Sequence, residues 1–275
     1  MSKPKLNFKD IFSFIVFMST TYLSTVWINL YYLSTRNVDF HKYYGYINYF
    51  LGADVDIDYG QGSLYFYLIA STFKNKLEII NENNFEIIIN NSVQNINLLF
   101  YIIGLIGVYK LLKFFKFSNS LIFLTLSIFN FFPQGLFIRA VMKPEILGFS
   151  FFPWIIYFLE QFKKTNSRKY IYRALPFLVL VLSSKASIAG IILFYILIIY
   201  RKLIPIVIDK KYLSIFLIFT LSFSLIQIEN YQITDNNIFE RKYDRDYDNK
   251  AKFDVLYNFN IRNIIFTNEE TKFSD

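Results

Sequence analysis

The chain has no cysteine among its 275 residues, which excludes disulfides, thiolate catalysis and cysteine-based zinc or iron–sulfur sites. Its single histidine, His41, excludes every motif that needs two. No Gly-x-Ser-x-Gly elbow presents a serine nucleophile, and neither a glycine-rich phosphate loop nor an internal repeat occurs. Acidic residues are the minority: 21 Asp+Glu against 29 Lys+Arg leave a formal charge of +8. A nucleic-acid binder would gather that excess on one soluble face. Here the cations flank hydrophobic runs, and no nucleic-acid partner is expected.

What the chain has in excess is hydrocarbon. Hydrophobic residues make up 54% and aromatic residues 21%, and their distribution matters more than their share, because they come in long blocks separated by short basic patches. A helix needs about 20 predominantly apolar residues to cross a bilayer core. Ile11–Leu33, Ile96–Phe115, Leu121–Ile138, Ile146–Phe162 and Tyr212–Ile228 each fit that requirement. The first follows a basic N-terminus, as a signal peptide would, but lacks a small-x-small cleavage site and reads as a retained anchor.

The stretch 171–200 is interrupted at Ser183-Ser184-Lys185. One helix would hold Lys185 near mid-membrane, at about 2.5–3.5 kcal/mol. Two short helices turning at Ser183–Ser187 would bring it to a surface. The hairpin also keeps the basic clusters 110–116, 163–173 and 201–211 on the side of the basic N-terminus, as the positive-inside bias requires. The expectation is an all-α, polytopic membrane helical bundle in a bacterial inner membrane. Residues 1–228 would form seven spans, with the N-terminus cytoplasmic, a first outer loop at 34–95 and a polar extracytoplasmic tail at 229–275.

Within the outer loop, Ser63–Phe73 is apolar but too short to span, and Ser63 suits a helix N-cap. Its rings, with Tyr43, Tyr44, Tyr46, Tyr49 and Phe50, read as interfacial helices at headgroup level. A composition biased toward Tyr, Phe, Ile, Asn and Lys explains the same residues. The Asn-rich stretch Asn75–Asn97 reads as a loop or short helix on the outer surface.

The ionisable residues of interest all fall on that outer side. Asp39 follows the first run closely, where a partly desolvated carboxylate suits a general base; a solvated aspartate or a helix N-cap is the plain alternative. Asp54, Asp56 and Asp58 alternate, offering oxygen ligands to a hard divalent cation such as Mg or Mn, or simply an acidic turn. Arg139 and Lys143 precede Pro144 and a helix start, which together suit a phosphate; Glu145 pairing with Lys143 would instead fill that place. Lys185 supplies a third cation on the same face. His41, Gln61 and Glu145 stand beside these groups as acceptor or donor contacts. A carboxylate opposed by cations fits transfer from a lipid phosphate, whose leaving group needs neutralising.

The segment Asp39-Phe-His-Lys-Tyr-Tyr-Gly-Tyr-Ile-Asn-Tyr-Phe-Leu-Gly52, with Tyr59-Gly-Gln-Gly-Ser-Leu-Tyr-Phe-Tyr67 and the basic stretch Arg139–Glu145, resembles the outer loops of the GT-C superfamily of integral-membrane glycosyltransferases. The resemblance covers roughly residues 1–228. It implies transfer of a sugar from a polyprenyl-phosphate donor to an acceptor at the extracytoplasmic face. It also implies Asp39 as the catalytic acid position and Arg139, Lys143 or Lys185 as donor-phosphate contacts. Family members carry more spans and often a soluble C-terminal domain, so the resemblance implies either a truncated or split member or one that works with a partner chain supplying further spans, alongside the lipid-linked donor and membrane lipids. The rival readings are a polysaccharide polymerase or ligase, a flippase, and a non-catalytic subunit of a glycan-assembly complex.

Overall fold

Asn7 accepts a hydrogen bond from Lys9 N at 3.3 Å and opens helix α1, Phe8–Tyr31. The helix is inside out by the standard of a helix in water, where apolar residues face the core. Its hydroxyls turn inward: Ser13 and Ser24 are buried, and Asn130 donates to Thr20 and Thr21. Phe12, Ile15, Met18, Leu23 and Trp27 face outward. The computed structural model describes residues 7–37, 39–52, 63–74, 76, 84–182, 184 and 186–199.

A short 3-10 turn, Ser34–Arg36, leads to α2, Phe40–Phe50, which packs on α3, Ser63–Lys74. Helix α4, Phe85–Phe114, has 30 residues and so measures about 45 Å. Ser118 caps α5, Asn119–Phe131, by accepting from Leu121 N. Pro133 then opens α6, Pro133–Ala140. The proline lacks a donor and forces the preceding Phe132 into extended backbone (ψ 132°), and the two helices meet at 62°. Helix α7, Glu145–Thr165, ends at Asn166 in the left-handed region (φ 53°). Helices α8, Lys169–Leu182, and α9, Ala186–Ile199, follow.

The principal seams are α1 on α5, α4 on α7 and α7 on α8. Glycine sets the spacing of the second. A Cβ on Gly104 would come within 2.7 Å of the Phe149 ring, and one on Gly107 within 2.8 Å of Trp154. The backbones approach closely enough for α7 side chains to donate to α4 carbonyls. Trp154 Nε1 bonds to Ile103 O at 2.9 Å, and Ser150 Oγ lies 2.7 Å from Phe100 O.

The seven-span bundle expected from the sequence does not form. Among the described residues only α1 and α4 are long and apolar enough to cross a membrane, with α5 and α6 a third such span if the bent pair is taken as one. Three physical causes account for the difference. Pro133 breaks the run Leu121–Ile138. Helix α7 has the length, but Glu145, Ser150, Pro153, Glu160 and Gln161 dilute its apolarity. The stretch 171–200 is interrupted near Lys185, where the hairpin reading put the turn, yet its halves of 14 residues reach only about 21 Å each. Tyr212–Ile228 and the tail 229–275 lie outside the described residues. The multi-pass topology, and the inner-membrane placement built on it, are therefore withdrawn.

The interfacial helices are also corrected. Helices form at both expected places, but Tyr43, Tyr46, Tyr65 and Phe66 are buried in the main core, with Tyr46 stacked on Phe66 at 4.5 Å. Of the stretch Asn75–Asn97 expected on the surface, residues 85–97 form the first turns of α4. There Asn90, Ser92, Gln94 and Asn97 are buried and tie down neighbouring backbone: Asn90 Oδ1 accepts from Ser34 N, and Gln94 Nε2 donates to Tyr32 O.

Candidate functional site

Where the α5–α6 bend meets the start of α7, the chain leaves a cleft of about 340 Å³. Its walls are phenylalanine: Phe129 and Phe132 from the end of α5, Phe137 from α6 and Phe149 from α7. Gln134, Lys143 and Glu145 supply its polar groups. The bend creates the opening, since a straight helix would carry Phe137 away from Phe129.

Lys143 is held from behind. Its backbone N–H donates to Tyr65 Oη at 3.2 Å, and Tyr65 Oη donates to Asn97 Oδ1 at 2.8 Å. Asn97 Nδ2 in turn donates to the carbonyls of Arg139 and Val141 at 3.1 and 2.8 Å. Two buried side chains, Tyr65 and Asn97, thus fix both ends of the α6–α7 connector. Tyr65 is fully buried, and burial pushes its hydroxyl pKa well above the ordinary tyrosine value; the Lys143 N–H and Asn97 oppose that shift.

The Lys143 ammonium faces the cleft, 5.3 Å from the centre of the Phe137 ring. It lies 3.5 Å from Asp39 Oδ2 in a partly exposed pair. Asp39 occupies the N-cap position of α2 but makes no capping bond, which leaves its carboxylate for the lysine. The sequence reading paired opposed groups from these two loops, and the fold brings Asp39 and Lys143 together.

Arg139 goes elsewhere. It is 2% exposed, donates to Ser24 Oγ at 2.8 Å and Thr25 Oγ1 at 2.6 Å, and stacks its guanidinium 4.6 Å from the centre of the Tyr101 ring. Burial lowers its pKa, while Tyr101 raises it; burial pushes Tyr101 itself up to about 12 against the pull of Arg139. Arg139 is not among the cleft residues but is joined to them, because Tyr101 stacks on Phe149 at 5.2 Å and 9°. Tyr101 Oη also donates to Asn130 Oδ1, completing a polar spine across α1, α4, α5 and α6. Of the remaining candidates, Glu145 starts α7 and lines the cleft, and His41 lies in the first turn of α2. Gln61, Lys185 and the trio Asp54, Asp56 and Asp58 lie outside the described residues. Among the described residues no group of three or more His, Asp and Glu is arranged to hold a metal ion.

Sequence reasoning missed Tyr65, Asn97 and Asn130, along with the phenylalanine walls. The available signal was polar residues recurring inside apolar runs, Thr20-Thr21-x-x-Ser24-Thr25 above all.

No protein-family model matches the chain, and neither a curated protein nor a solved structure is significantly similar to it. The resemblance to the GT-C superfamily is overturned on two grounds: no family model supports it, and at most two or three of the described helices are long and apolar enough to span where that module needs seven. The glycosyltransferase activity, its polyprenyl-phosphate donor and the role of Asp39 as its base fall with it. The polymerase, ligase and glycan-assembly-subunit alternatives rested on the same bundle and fall too.

Proposed function

We propose that the chain binds an amphiphile, its apolar tail in the phenylalanine cleft and its anionic head, a phosphate or carboxylate, on Lys143. The observation that carries this is the placing of the Lys143 ammonium over the Phe137 wall, with Asp39 its one ion-pair partner among the described residues. An ammonium has three donors and Asp39 can take one, so among the described residues two face a head group beside the apolar wall. The Asp39 pair is partly exposed, and such pairs are worth roughly 0–1 kcal/mol, which an incoming anion can match. The volume stands at the lower end of the roughly 300–1,000 Å³ of ligand sites, suited to one alkyl chain and not to a bulky multi-ring ligand. The backbone anchoring by Tyr65 and Asn97 preorganises the cation, which lowers the entropy lost on binding.

Decyl phosphate and decyltrimethylammonium, titrated against the full chain by calorimetry, separate the two head-group signs. The phosphate should bind more tightly. Lys143→Gln should weaken it about ten-fold or more, because a hydrogen bond to a charged group contributes roughly 1.5–3 kcal/mol. Equal binding of phosphate by wild type and variant, or preference for the ammonium, would reject the reading.

A further inference from the structure

The far end of the bundle from the cleft has a charge pattern that the cleft does not use. Lys9 opens α1. Lys110 and Lys113 close α4, with Lys116 just beyond it. Lys163, Lys164, Arg168, Lys169 and Arg173 span the turn from α7 to α8. All nine are exposed.

Contacts place these segments at one end. Asp10 accepts from Ser120 N at 3.0 Å, and Tyr109 Oη donates to Asn119 Oδ1, which joins the starts of α1 and α5 to the last turns of α4. Lys164 Nζ stands 5.5 Å from the centre of the Phe114 ring, joining the end of α4 to that of α7. The acids in these segments are Asp10, engaged with the α5 backbone, and Glu160, 4.0 Å from Lys163. Neither offsets the excess.

Exposed rings stand among the cations: Phe8, Phe115, Phe117 and Tyr172. Beyond them the outward surface turns to hydrocarbon, with Ile11, Phe12 and Ile15 on α1, Ile102 and Ile106 on α4, and Leu121 and Leu124 on α5. Cations, then rings, then aliphatic side chains is the order met on passing from the headgroups of a bilayer into its acyl region. A nucleic acid would use the cations and the rings but has no counterpart for the hydrocarbon behind them.

We infer that this basic end docks the chain on an anionic lipid bilayer, with Lys/Arg on the headgroup phosphates and the rings and outward hydrocarbon beyond them turned toward the acyl chains. The inference rests on this end alone and stands whether or not the cleft binds an amphiphile.

The test is co-flotation of the full chain with vesicles of phosphatidylcholine alone and with phosphatidylglycerol added. A second variant, Lys74→Glu, changes an exposed charge on α3, away from this end. Wild type and Lys74→Glu should favour the anionic vesicles by about ten-fold or more, and the preference should fade at about 0.5 M salt. The combined variant Lys110→Glu, Lys113→Glu, Lys163→Glu, Lys164→Glu should lose it while keeping wild-type helicity by circular dichroism. If that variant misfolds, Lys113→Gln with Lys163→Gln should still lower the preference several-fold. Equal binding to both vesicles, an anionic preference that survives the neutralised pair, or displacement from the vesicles by a single-stranded oligonucleotide would overturn the inference.

Discussion

Tyr65 determines where the Lys143 backbone sits, and its hydroxyl both donates to Asn97 and accepts from Lys143 N. Tyr65→Phe leaves a buried acceptor and a buried donor without this partner, at a cost of about 1–3 kcal/mol in denaturant unfolding. The pH dependence has a definite sign. Burial raises the folded-state pKa of Tyr65 above its ordinary value of 10.0, so the unfolded chain releases this proton first. Stability from this group is therefore full below about pH 10 and falls as pH rises past it, by up to about 1.4 kcal/mol per pH unit. Tyr65→Phe should lack that component, and parallel pH profiles above 10 for the two proteins would count against it. Asp39 acts in the opposite direction, because it competes for Lys143 with any bound anion. Asp39→Asn should tighten decyl phosphate binding by up to about five-fold; weaker binding would mean that the carboxylate itself contacts the ligand. The Asp39–Lys143 opposition was legible in the sequence as a carboxylate just after the first apolar run and a cation just before the run Ile146–Phe162. The fate of Arg139 was not, because nothing in its own loop shows that Ser24, Thr25 and Tyr101 converge on it.

At the scale of elements, the α4–α7 seam sets the shape of the cleft through Phe149. Two effects compete in Gly104→Ala. Replacing a mid-helix glycine gains about 0.5–1 kcal/mol in backbone entropy. Against that, the new Cβ would sit 2.7 Å from Phe149 Cε1 and 3.1 Å from the Ser150 Cα. Overpacking of this kind costs about 1–3 kcal/mol. The ring cannot yield easily, since it is stacked on Tyr101, and Ser150 is held by its hydroxyl, which lies 2.7 Å from both Phe100 O on α4 and Ile146 O in α7. Overlap should therefore win, with a net loss of about 1 kcal/mol and weaker decyl phosphate binding as Phe149 shifts. A variant more stable than wild type would show that the seam has slack. Helix positions were readable from apolar runs and breakers, including the interruption near Lys185. The bend at Pro133 was in plain sight in the sequence, but a run of apolar residues on both sides made it pass for one span. Asn-rich α4 turns read as surface because buried asparagine is legible only once its backbone partners, Ser34 and the α6–α7 connector, are known.

At the scale of the molecule, the sequence's hydrocarbon content was read as seven spans, and among the described residues much of it packs internally between α2, α3, α4, α7 and α8. Among the described residues the exposed hydrocarbon is heaviest on α1, with α5 beside it, and their shared seam carries hydroxyl and amide groups. Covering such a surface is favourable, because burying apolar area contributes about 25 cal/mol per Å² while the seam's polar groups already satisfy one another. The two tryptophans sample the two situations. Trp27 is 49% exposed on the outer face of α1, whereas Trp154 is stacked flat on Phe177 at 5.4 Å and bonded to Ile103 O. If hydrocarbon covers the outer face, a detergent with brominated acyl chains should quench Trp27 strongly and Trp154 weakly. Trp154→Phe isolates the first emission and Trp27→Phe the second. Strong quenching in Trp154→Phe with little in Trp27→Phe is the expected pair of results, since quenching by bromine needs near contact. The reverse pair, or an unquenched Trp27 with blue-shifted emission, would show that protein and not acyl chain covers α1, and would turn attention to a second copy of the chain as its cover.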